Sequence, residues 1–114
     1  MPKPKDKTLE GKVMRDIVKE LDKRSIFWLR LNTEGTFRKI KEGWQYVPSP
    51  YAKVGTPDMV CFPQGQAVFL ELKRPKGGRL SADQIAMGNI IKSEGMEWYC
   101  IKSVEELQSI LPKT

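Results

Sequence analysis

The apolar positions of the chain change period several times, and each change marks an element. Leu9, Val13, Met14, Ile17, Val18 and Leu21 recur at three- and four-residue spacing and predict an amphipathic helix that stops before Lys23-Arg24. Residues 26–32 read as a strand. Residues 33–56 mix Gly, Pro, aromatic and basic positions and are expected to form a hairpin or a long loop. A short strand over 58–62, a turn over 63–66 and the clearest strand of the chain, 67–73, come next. A basic loop over 74–79 leads into a helix over 81–94, where Ser81 and Gln84 have capping-box spacing and Gly95 supplies the stop. Residues 98–101 give another strand, and Ser103 with Glu106 repeats the capping-box spacing ahead of a short last helix. The core order is α-β-β-β-α-β, an α/β arrangement with a mixed central sheet flanked by helices.

Length and charge narrow the reading. A chain of 114 residues has single-domain length, taken here as one domain over 8–114 behind a flexible basic tail, residues 1–7. No apolar stretch approaches the roughly 20 residues that cross a bilayer, and the first residues lack the apolar core of a signal peptide. A cytoplasmic protein with no membrane partner is expected. Twenty basic residues against fourteen acidic ones give +6, which suits a polyanionic partner such as nucleic acid; a basic surface kept for solubility is the plainer alternative. Cys61 and Cys100 lie in separate apolar runs and histidine is absent, which excludes the common zinc signatures. It also excludes triads and general bases built on histidine. Any catalysis must rest on carboxylates and lysine, and a metal held by them would be a hard ion, Mg²⁺ or Mn²⁺.

The candidate residues are few. With Glu10 at zero and about 100° per residue, Val13, Met14, Ile17 and Leu21 all fall within about 60° of it. Glu10 is then either a carboxylate aimed at the core, which needs a partner or a metal, or a first-turn acid favoured by the helix dipole and still wet. Asp58, in Gly55-Thr56-Pro57-Asp58, either punctuates a turn or opens its strand with a functional carboxylate. Glu71 and Lys73 share one strand face with Phe69 while Val68, Leu70 and Leu72 take the other. An edge-strand ion pair would explain them. So would a site, because an Asp opening one strand and an E-x-K ending its neighbour can bring two carboxylates to one end of a sheet. Such carboxylates can hold Mg²⁺ at a scissile phosphate, with the lysine stabilising the developing charge. Gln84 either completes the capping box or faces that site. Arg30, Lys39, Lys41 and Lys53 interleave with Trp44, Tyr46 and Tyr51, and Arg74, Lys76 and Arg79 form a second basic cluster. The cations suit phosphates and the aromatics either bases or a core.

Together Glu10, Arg30-Leu31-Asn32, Gly55-Thr56-Pro57-Asp58, Glu71-Leu72-Lys73-Arg74-Pro75 and Leu80-Ser81-Ala82-Asp83-Gln84 resemble the VRR-NUC family of the PD-(D/E)xK nuclease superfamily. The likeness spans about residues 9 to 107. It departs at Met14, four residues after Glu10, where family members often carry Gln. The resemblance implies a restriction-endonuclease-like core and metal ligation by Glu10, Asp58, Glu71 and the backbone carbonyl of Leu72. It also implies Lys73 as the catalytic lysine and Gln84 as a site residue. Stand-alone members of this size, from phage and bacteria, often act as homodimers on branched DNA such as four-way (Holliday) junctions. The expected activity is therefore a Mg²⁺- or Mn²⁺-dependent deoxyribonuclease, an endonuclease acting on structured DNA. The rivals are a catalytically silent nucleic-acid-binding module of the same fold and a scaffold or inhibitor whose E-x-K is a surface ion pair.

Overall fold

The computed structural model describes residues 9–31, 36–47 and 53–112. The expected tail over 1–7, Asn32 and Tyr51 lie outside the described residues. Helix α1 (Leu9–Lys23) is followed by β1 (Trp28–Arg30), a hairpin of β2 (Thr36–Ile40) and β3 (Gly43–Val47), then β4 (Met59–Cys61) and β5 (Val68–Leu72). Helix α2 (Ala82–Ser93), β6 (Glu97–Ile101) and α3 (Val104–Ile110) complete the order. The protein is a mixed α/β fold with three helices among the described residues. None of these helices is long and apolar enough to cross a membrane.

Four strands form one sheet in the order β1-β4-β5-β6. β1, β4 and β5 pair antiparallel, and β6 lies parallel to β5, reached through α2. The side-chain alternation of strands gives this sheet two faces. Met59 and Cys61, then Val68, Leu70 and Leu72, then Ile101 turn to one face, where Val13, Ile17 and Leu21 of α1 and Leu107 and Leu111 cover them. This is the main core. Polar side chains tie its helices together: the Arg24 guanidinium donates to Glu20 Oε2 at 2.6 Å and to the Pro112 carbonyl at 3.3 Å, and Gln108 donates to Glu20 Oε1 at 3.3 Å. Leu29, Val60, Phe69 and Trp98 stand in register across the opposite face, and α2 lies over its β6 side.

β5 therefore runs between β4 and β6. The ordinary account of an acid and a lysine on one strand face, an exposed edge, does not apply to Glu71 and Lys73. The hairpin left open by the sequence is present, turning at Lys41-Glu42 and forming a two-stranded sheet of its own. Both helix starts follow the capping signals. Ser81 Oγ accepts from the Gln84 amide at 3.1 Å while Gln84 Oε1 accepts from the Ser81 amide at 2.8 Å. At α3, Ser103 Oγ accepts from the Glu106 amide, but the Glu106 carboxylate takes the Lys102 amide, one residue earlier than a capping box would.

α2 seats on the sheet through a glycine. A Cβ on Gly88 would lie 2.6 Å from the Trp98 indole, whose other neighbour is the Lys92 ammonium, 5.5 Å from the ring centroid. Alanine in a helix interior is normally worth about 1 kcal/mol over glycine. Here the overlap reverses the sign: Gly88→Ala is expected to lower stability by about 1–3 kcal/mol, read from the midpoint of urea unfolding.

Candidate metal centre

The register of β4 on β5 decides which polar groups meet. Met59 pairs with Leu70, so Asp58, one residue before β4, stands opposite Glu71. Asp58 Oδ2 accepts the Leu72 amide at 2.7 Å, which fixes the carboxylate at the end of β5. The strand beyond is closed on the other side as well: the Lys73 amide donates to the Ile101 carbonyl at 3.0 Å. Behind Asp58, Pro57 is fully buried. Gly55 sits at φ +84°, and a Cβ there would fall 2.2 Å from the Asp83 carbonyl oxygen. Glycine at that position lets the 53–58 segment lie directly against the first turn of α2, which carries Gln84.

Gln84 makes two contacts at once. Its oxygen completes the capping box, and its Nε2 donates to Glu71 Oε1 at 3.1 Å. The cap does not preclude the contact with Glu71, because the side-chain amide offers an acceptor and a donor to different partners.

Glu71 is 2% exposed. Its second oxygen, Oε2, is buried and has no hydrogen-bond partner among the described residues. Burial pushes the carboxyl up to about 8, and the negative charge of Asp58 and a hydrogen bond that only a protonated Glu71 can make to Asp58 push the same way. Lys73 opposes this and Glu10 adds to it. A buried carboxylate oxygen without a donor, beside a second carboxylate, requires a proton or a cation. The hard oxygen donors present fit Mg²⁺ or Mn²⁺. Glu71 and Asp58 are the pair that would hold it.

The other expected residues fall at different distances from this pair. Glu10 is exposed in the first turn of α1, so the wet, first-turn reading holds rather than the core-facing one; its charge still bears on Glu71. Among the described residues no three acidic, cysteine or histidine side chains close on one point as a ready-made ligand set. Lys73 is half-buried, and its ammonium has no hydrogen bond or ion pair among the described residues. Leu72, the expected carbonyl ligand, ends β5 directly after Glu71. Arg30 is exposed at the end of β1, and Lys53, Arg74, Lys76 and Arg79 are exposed on the segments that flank Asp58 and Lys73. Lys39 and Lys41 are not brought to the pair; they lie on the separate hairpin. Burial also raises the thiols of Cys61, to about 11, and Cys100, which leaves both poor nucleophiles.

Two contacts had no signal in the sequence: the Asp58–Leu72 amide bond, which needs the register, and the Gly55 approach to α2, which needs the tertiary packing. Compared with protein-family models, with curated proteins and with solved structures, the chain has no match in any of the three.

Because the folded state favours protonated Glu71, its contribution to stability is complete below about pH 4.5, the ordinary value, and is lost as pH rises towards about 8. In chelator, the wild type is therefore expected to lose stability relative to Glu71→Gln between pH 5 and 8.5, by an amount on the order of a few kcal/mol. Paired thermal melts across that range provide the check. Parallel curves would mean that Glu71 ionises without cost.

Proposed function

We propose that the protein is a Mg²⁺- or Mn²⁺-dependent deoxyribonuclease with a restriction-endonuclease-like core of the VRR-NUC type, an endonuclease that hydrolyses phosphodiester bonds in DNA. One observation carries the reading: Glu71 Oε2, buried without a donor next to Asp58, on an interior strand that ends in Lys73. Interior strands do not ordinarily carry a glutamate unless it is paired or ligating. Here its neighbours are a second acid, an amide that leaves one oxygen unoccupied, and a lysine whose ammonium makes no hydrogen bond or ion pair among the described residues.

Asp58 and Glu71 would hold the ion, with Glu10 and the Leu72 carbonyl completing the set as the resemblance implies. The ion, when bound, makes a metal-activated water available at neutral pH and offsets charge on the phosphate. Gln84 keeps Glu71 Oε1 occupied and so directs Oε2 at the site. The Leu72 amide does the same for Asp58 by engaging Oδ2. Lys73, in no ion pair among the described residues, can meet the attacking water or a non-bridging phosphate oxygen, where its charge is worth most as negative charge develops. Arg30, Lys53, Arg74, Lys76 and Arg79 surround this end of the sheet with exposed cations suited to the DNA backbone. A homodimer on branched DNA such as a four-way junction is the form that the resemblance suggests, since two sites related by a two-fold axis can cut two strands.

The second reading, a module of the same fold that binds nucleic acid without cutting, draws on the lack of a third carboxylate converging on the pair.

Cleavage of labelled single-stranded, duplex, flap and four-way-junction DNA in Mg²⁺, Mn²⁺ or EDTA separates the two. Cutting is expected with metal alone, and to fall by roughly 100-fold or more in both Asp58→Ala and Lys73→Ala, the scale of losing a principal transition-state contact. Wild-type protein that bound these DNAs and cut none with either ion would leave the binding module standing.

A further inference from the structure

The hairpin β2–β3 is unlike the rest of the fold. Among the described residues its two strands pair only with each other, and the cations of this segment, Arg38, Lys39 and Lys41, outnumber its single acid, Glu42. Trp44 and Tyr46 are two residues apart on β3 and therefore share a face. They remain 58% and 50% exposed. Lys39 stands directly opposite Trp44 in the register, so a cation borders the same aromatic face. Two adjacent exposed aromatics on one strand face make a contiguous patch, the kind of surface that marks a binding site.

The position of the hairpin in the chain is as informative as its surface. Arg30 pairs with Met59, and the Leu31 amide donates to the Asp58 carbonyl at 2.9 Å. The chain thus leaves β1 towards the hairpin at the end of the sheet where Asp58 faces Glu71. It returns through Lys53 and Gly55 to Asp58 itself. Four residues join Leu31 to β2 and five join β3 to Lys53, so each connection reaches at most about 20 Å. Both ends of the hairpin are thus tethered, within about 20 Å, to the end of the sheet that carries Asp58 and Glu71.

The geometry points to the β2–β3 hairpin as a binding site for unpaired nucleotides next to the cutting site. Trp44 and Tyr46 stack on bases, and Lys39 and Lys41 meet the flanking phosphates. This rests on the nuclease reading for its biological use, and it names the substrate feature which that reading leaves open. Aromatic faces can stack only on bases whose own faces are exposed, as at a flap, a gap or an opened junction. In continuous duplex those faces are occupied, and only the cations would contribute. A positively charged strip alternating with aromatics matches single-stranded nucleic acid better than it matches a second copy of a chain that is itself basic.

The test uses the full chain in EDTA at one fixed salt concentration, so no cutting enters it. Fluorescence anisotropy would follow binding to a labelled oligo(dT) 20-mer and to a blunt duplex of the same length, for wild type, Trp44→Ala, Tyr46→Ala and the double variant. The double variant is expected to bind oligo(dT) at least tenfold more weakly, in keeping with stacking lost from two bases, while duplex binding changes less than about twofold. Unchanged oligo(dT) binding, or equal loss on both DNAs, overturns the proposal. Sedimentation of the same proteins covers the rival occupant: a wild-type dimer that Trp44→Ala turns into monomer without altering oligo(dT) binding also overturns it. The nuclease reading fails separately. Wild type that binds oligo(dT) through Trp44 yet cuts no DNA with Mg²⁺ or Mn²⁺ removes the enzyme and keeps the hairpin site.

Discussion

A carboxylate that is 2% exposed on an interior strand, within reach of a second carboxylate, is the constraint around which the rest of this structure is arranged. Two like charges in a poorly solvated place cannot both persist without a proton or a cation. The fold does little to relieve the conflict and a good deal to preserve it. β4 and β5 bring Asp58 and Glu71 opposite each other, the Leu72 amide and Gln84 each take one oxygen, and Oε2 of Glu71 meets no donor among the described residues. Lys73 stands near enough to favour ionisation without closing an ion pair. A buried carboxylate held this way is costly to the fold unless a proton or a cation relieves it.

The parts that hold it are ordinary elements used at close quarters. A capping box starts α2 and also delivers Gln84. A glycine with no room for a Cβ lets the segment before Asp58 press on that same helix turn. Gly88 does the equivalent one turn further along, seating α2 on Trp98. The core beneath, between α1, α3 and the other sheet face, carries the stability that the carboxylate pair draws down.

Much of this was legible in the residues, and the reasons for the rest are physical. Strand 67–73 and the helix from Ser81 could be read because alternation and capping are local signals. The hairpin stayed ambiguous because its turn, Lys41-Glu42, carries none of the Asn-Gly or Asp-Gly chemistry of two-residue turns. Glu10 lies in the apolar arc of α1 by angle, yet is exposed, because periodicity gives direction around a helix and not where along its axis the core begins. Glu71 and Lys73 suggested either an edge or a site; strand order removes the edge, and strand order is a long-range property. The Asp58–Leu72 bond likewise needs the register. That these acids meet could be anticipated from an Asp before one strand and an E-x-K ending the next. Their burial, which leaves Glu71 short of a donor, could not be anticipated, because it depends on how the helices pack on the sheet.

Whether Asp58 and Glu71 form a divalent-cation site is tested without DNA or turnover by Mn²⁺ titration calorimetry at pH 7.5. Saturable uptake by the wild type is expected, weakened at least tenfold in Asp58→Asn, with the variant still folded by circular dichroism; removal of an oxygen ligand from so small a set has at least that effect. Equal uptake by both proteins, or none by the wild type, would contradict such a site.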